Sequence, residues 1–280
     1  MNLATVLDEM KKKAIKLELQ TDHKEELPLG ASKIGGNPDL PKDFNWFYYE
    51  GEAYTGEIKN RPLSFLAQIN CGEVRMYDEE GLLPKKGILY FFYELLTMTW
   101  GYDPQHRGSA KVFYFDGDLS ELSRTPFPDD MENECKIPEI PLHFSQKYNV
   151  PDYGEFMERH DYRNLEEFLE VKADLGYEQE EVMSKLLGYA DIIQNGMLLQ
   201  CELVTNGTEL GMGYPDMSSE EYKILQQKGE QWQLLFQLDT VIENDYELMF
   251  GDSGRIYYYI KKEDLKNCRF DDCWLVLECY

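Results

Sequence analysis

At 280 residues the chain can bury roughly three-quarters of the surface its unfolded form exposes, so a core needs neither disulfides nor a metal to hold it. Its 53 Asp and Glu against 28 Lys and Arg leave a formal charge of -25, a field that repels phosphate backbones and anionic lipid and argues against nucleic acid and membrane as partners. The same excess serves solubility, or the capture of a basic protein.

Residues 1–20 carry Asp8, Glu9 and Lys11 to Lys13 without an uninterrupted apolar core, unlike a signal peptide, and no apolar run of about 18 residues follows; a cytoplasmic protein is expected. Asn2 can cap a helix running to Gln20, because Leu3, Val6, Leu7, Met10, Ala14 and Leu17 recur at three and four residues. Lys11 to Lys13 then read as solvated surface. Gly35-Gly-Asn-Pro-Asp-Leu-Pro41 is a turn. The aromatic stretch Phe44 to Glu50 behind it favours a strand, not the helix a phosphate-binding glycine loop needs. Further strands are expected at 63–70, 87–94 and 110–115, with Trp100 to Gly108 as a loop. Residues 116–150, broken by Pro126, Pro128, Pro138 and Pro141, read as an irregular connector.

A second helical region opens at Asn164, where Asn164 and Glu167 form a capping box, and resumes around Glu178 to Leu187. Gly188-Tyr-Ala-Asp-Ile192 takes the place that Gly36 to Leu40 held, and Met197 to Leu203 alternates as a strand. A short helix is expected after Ser218, then strands at 232–240, 255–261 and 273–279.

Leu63 to Asn70 and Gln233 to Thr240 align through Gln68 and Gln237, which puts Phe65, Ala67 and Ile69 opposite Leu234, Phe236 and Leu238 on one strand face. The expected fold is α+β: a single domain, 1–280, made by internal duplication, with repeats at 1–150 and 151–280. Each repeat would be a helix, a glycine turn and about four mainly antiparallel strands. The ordered set Gly35-Gly-x-Pro-x-Leu-Pro41, Pro62 to Ile69, Leu83-Pro-x-x-Gly87, Gly188-Tyr-x-Asp-x-x-Gln194 and Gly251-Asp-Ser-Gly254 resembles the YwqG-like family across nearly the whole chain. Ala190 departs from it where the pattern usually carries proline. The resemblance implies a duplicated α+β fold and no established reaction.

Six scattered cysteines without a CxxC pair, and histidines remote in sequence, give no metal-ligand spacing. Catalytic signatures such as GxSxG, HExxH, a P-loop or GxGxxG are absent, and no cofactor is implied. Candidate ligand-binding residues are Gln68 and Gln237, whose amides either line a cleft between the repeats or tie each strand to a loop, together with Trp100, Gln194 and Asp252. The aromatic runs at 90–93 and 257–259 suit a sheet covered on both sides. Two functions follow from this. One is a non-enzymatic binding or interaction protein, immunity-like, that captures a basic partner. The alternative is an enzyme or small-ligand sensor with its site between the repeats. Ala67→Asp would place an unpaired charge on the core face and should abolish cooperative thermal unfolding; a soluble variant with a sharp melt contradicts that strand phase.

Overall fold

The computed structural model describes residues 2–20, 25–160, 162–177, 182–212, 219–243 and 245–280. At its centre Lys12–Leu19 (β1) meets an antiparallel partner through eight successive pairs, Lys12 opposite Asn149 to Leu19 opposite Leu142. The expected helix to Gln20 therefore stops early: Leu3–Met10 is α1, capped by Asn2, and the chain then becomes strand. Ile15, Leu17 and Leu19 alternate with Lys16 and Glu18, and this period of two prevails over the helical spacing once a partner strand is present.

On one side of this ladder stand Lys33–Ile34 (β2), Ser64–Asn70 (β3), Ile88–Tyr93 (β4) and Ala110–Phe115 (β5). The partner of β1 is Ile140–Asn149 (β6), ten residues inside the stretch expected to be irregular. On the other side stand Lys185–Leu186 (β7), Trp232–Leu238 (β8), Arg255–Lys261 (β9) and Trp274–Glu278 (β10). They form one ten-stranded sheet in the order β10-β9-β8-β7-β1-β6-β2-β3-β4-β5, with every pairing antiparallel.

The sheet curls until its wings meet face to face. Phe91 of β4 lies 4.3 Å from Phe236 of β8, ring centre to ring centre, and the Tyr258 hydroxyl donates to the Phe92 carbonyl at 2.8 Å. Beyond the last strands, Leu277 N–H donates to the Trp100 carbonyl and Trp274 Nε1 to the Gly101 carbonyl, so the 100–101 turn covers the β10 edge. Gly101 has φ +82, and a Cβ there would sit 2.0 Å from the Leu275 carbonyl oxygen.

This overturns the expected duplication of a helix plus four strands. A single, mostly antiparallel, barrel-like sheet forms, and its outer faces carry different covers. Over β3 to β5 lie Leu40, Phe44, Trp46, Phe47 and Leu122, from loops and small two-stranded sheets. Over β8 to β10 lies the helix Leu198–Thr205, built from residues expected to be a strand. Seven of its eight residues are buried, Gln200 and Glu202 among them, so it has no solvent-facing stripe, and apolar spacing alone does not separate it from a buried strand. The helices Tyr153–Arg159 and Leu165–Asp174 pack on α1 through Leu3, Leu7, Phe156 and Phe168. Asn164 caps the second of these as expected, accepting from Glu167 N–H at 3.2 Å, but Glu167 Oε2 accepts from the Asn164 side-chain amide at 3.0 Å, so the reciprocal half of the expected box is not made. Glu178 to Glu181 and Ser218 lie outside the described residues; the end of the helix expected to Leu187 is instead the strand β7, and the helix near Ser218, Glu220–Gly229, is capped by Ser219.

The strand phase needs a second correction. Register shifts between Phe65 and Ala67, and between Leu234 and Phe236, mark β-bulges. The extra residue reverses the alternation, so Phe65 and Leu234 face outward while Ala67, Ile69, Phe236 and Leu238 face the central core.

Just past each bulge a buried amide ties strand to loop. Gln68 Oε1 accepts from Asp39 N–H at 2.9 Å, and its Nε2 donates to the Ala31 carbonyl and to Asp39 Oδ2 at 2.7 and 2.8 Å. Gln237 makes the same three bonds, to Asp191 N–H, the Met183 carbonyl and Asp191 Oδ2, at 2.9, 2.7 and 2.6 Å. Tyr90 and Tyr257 hydroxyls donate to the carbonyls of Asp39 and Asp191. Gln237→Leu strands a buried N–H and a buried carbonyl, and should lower stability in urea unfolding by about 2–4 kcal/mol. A loss below about 0.5 kcal/mol, the range of ordinary surface substitutions, would contradict that role.

Glu158 fastens Tyr153–Arg159 to Leu198–Thr205 by accepting from the Leu198 and Leu199 N–H groups at 3.1 and 2.9 Å. Burial outweighs these bonds and pushes its pKa up from 4.5 to about 7. The folded state then keeps a proton that the unfolded chain releases between pH 4.5 and 7, so this group's contribution to stability falls as pH rises through that window. Relative to Glu158→Gln, the wild type should lose roughly 2–3 kcal/mol between pH 5 and pH 8 in paired unfolding curves; parallel curves would refute the shift.

Candidate functional site

Antiparallel order brings the start of β1, the residues after β7, the start of β8 and the end of β9 to one end of the sheet. Lys12, Tyr189, Gln233 and Lys262 are therefore neighbours despite lying up to 250 residues apart, 262 minus 12. They line a cavity of about 770 Å³, closed by Arg159 from the end of its helix and by the 80–85 loop. Met10, Leu82, Leu83, Pro84 and Leu265 form its apolar wall.

The polar wall is cationic. Lys12, Lys85, Arg159, Lys262 and Lys266 line it, with Glu80 as the acidic member. Lys12 Nζ sits 4.3 Å from the centre of the Tyr189 ring, whose hydroxyl donates to the Met10 carbonyl at 2.7 Å. Arg159 Nη2 donates to Glu155 Oε1 at 2.8 Å, whereas its buried Nε–H has no partner among the described residues. Among the described residues neither Lys12 nor Lys262 has a carboxylate within ion-pair distance, and Lys262 Nζ donates to the Glu230 carbonyl at 2.9 Å. Desolvation lowers the pKa of Lys12, and Arg159 and Lys262 lower it further by repulsion, against the attraction of Glu155. Desolvation, then Arg159, lowers Lys262 likewise. Positive charges held this close favour an anion between them.

The sequence gives none of these cations a binding role. Lys12 reads as solvated surface when residues 2–20 read as one helix, and nothing along the chain links it to Arg159 and Lys262. The alternation of Ile15, Leu17 and Leu19 was the available signal.

The residues expected to bind ligand are elsewhere. Gln68 and Gln237 use the amide oxygen and both N–H groups in the ties described above. Trp100 and Asp252 both line a second cavity of about 520 Å³, as does Cys279. Gln194 lies beside it, Nε2 donating to the Cys279 carbonyl at 2.7 Å. Among the described residues no group of three or more His, Cys, Asp or Glu could hold a metal ion, and no helix is long and apolar enough to cross a membrane. Cys71, Cys135, Cys201 and Cys279 are buried thiols, while Cys268 is exposed at the basic cavity.

No curated protein matches the sequence. A family model described as a domain of unknown function, DUF1963, matches residues 32–279, a span that holds Arg159, Tyr189 and Lys262 and leaves Lys12 outside it, and the chain belongs to that family.

Proposed function

We propose that this protein binds a small anionic molecule with an apolar body, held in the cavity between Lys12, Arg159 and Lys262. The observation that carries this reading is a cluster of cations around an apolar hollow, with one buried guanidinium N–H left unpaired, in a chain of net charge -25. A carboxylate, sulfonate or phosphate would pair with Lys12, Lys262 and the Arg159 guanidinium and relieve the repulsion among the cations, while Met10, Leu82, Leu83 and Leu265 cover the remainder of the ligand. The rival reading, capture of a basic partner, rests on net charge alone, whereas the cavity offers placed groups. The sequence motifs further align the chain with YwqG-like proteins, a kinship that supplies no activity of its own.

Fluorescence titration with anilinonaphthalene sulfonate, followed by displacement with decanoate, tests the proposal. Arg159→Gln and Lys262→Ala should each weaken binding by about tenfold or more, the worth of one desolvated charged hydrogen bond. Because the Lys12 pKa is lowered, affinity should decline with rising pH before the ordinary lysine value of 10.5 is reached. Equal affinity in wild type and both variants would remove the proposal.

A further inference from the structure

The second cavity has the opposite character. It lies between the turn after Tyr48–Glu52, the segment around Met98 and Trp100, and the turn at 249–252. Tyr54, Trp100, Met98, Met249 and Asp252 line it, with no Lys, Arg or His among the described residues that do so.

Three features single out these walls. Tyr54 stands at a hairpin tip with 85% of its surface exposed, an aromatic side chain that contributes little to any core. The Asp252 carboxylate has no hydrogen-bond or ion-pair partner among the described residues, although its backbone is fixed, the carbonyl accepting from Tyr280 N–H at 3.0 Å. Met98 holds a left-handed φ of +48 and its sulfur accepts from Gly251 N–H at 3.3 Å, which joins two of the walls.

Aromatic faces, polarisable sulfurs and one carboxylate suit a weakly hydrated cation. A hard metal ion would need several more oxygen ligands than one aspartate supplies. A lysine-like ammonium, strongly hydrated, would gain less from the ring faces than a methylated one, whose charge is spread over its methyl groups. The net charge of -25 raises the local concentration of any cation. We propose that this cavity binds a small alkylated ammonium ion, with Tyr54 and Trp100 against its methyl groups and Asp252 balancing its charge.

The test is calorimetric titration of the full chain with choline chloride, alongside the neutral isostere 3,3-dimethyl-1-butanol. Choline should bind saturably and the isostere about tenfold more weakly or worse, the difference being the charge. Tyr54→Ala and Asp252→Asn, both at exposed positions, should each weaken choline binding by about three- to tenfold while leaving the melting temperature unchanged. Arg159→Gln should leave it unaltered, which separates this site from the basic cavity. No saturable heat up to about 50 mM choline, equal binding of the isostere, or wild-type affinity in both variants would overturn the proposal.

Discussion

Residues 12–19 and 142–149 pair over their full length, and both wings of the sheet hang from that ladder. The strands joining each wing to it, β2 and β7, are two residues long and contribute little ladder of their own. The wings are instead held across the curl, where Phe91, Phe236 and Tyr258 meet in one central core that also takes in Ile15, Leu17 and Ile140. A break in the central pairing would separate both wings from their common core, so distant parts of the chain depend on it.

The short joining strands explain why so much polar chemistry is buried beside them. Lys33 and Lys185 are completely buried in β2 and β7, and pair with Glu139 and Asp191 at 2.6 Å. Asp39 is buried among Gly30 N–H, Gln68 and Arg124, and Asp191 among Met183 N–H, Gln237 and Lys185. Burying such groups costs several kcal/mol unless each lone pair and proton finds a partner, so only one register of loop against strand satisfies them. The two networks thus fix the register of strands too short to fix it by pairing.

The electrostatics of the surface and of the cavities act over different distances. At physiological salt the net negative field is screened beyond about 8 Å, so it discourages long polyanions that lie along the surface. Inside the basic cavity Lys12 and Arg159 are close and partly desolvated, and their attraction for a single small anion is screened much less. A net acidic surface is thus compatible with the proposed anion site, and the cavity at Asp252 carries the prevailing sign where the one at Lys12 inverts it.

The sequence alone determined the strands of the wings, because 64–70, 88–93, 110–115, 232–238, 255–261 and 274–278 are dense in aromatic and branched residues bounded by glycine or polar turns. It also determined the Asn164 cap, which depends on residues three apart, and the matched placing of Gln68 and Gln237 on their strands. Tertiary structure decided the rest. Lys12–Leu19 fits a helical stripe and a strand alternation equally, and only the partner strand selects one; Leu198–Thr205 is buried on nearly every side, its Gln200 and Glu202 included, and takes its form from the sheet beneath it. The bulges at Leu66 and Leu235 turn Phe65 and Leu234 outward without any local mark. The basic cavity exists only because antiparallel pairing carries residues 12, 189, 233 and 262 to the same end of one sheet, a matter of strand order that spacing along the chain does not encode.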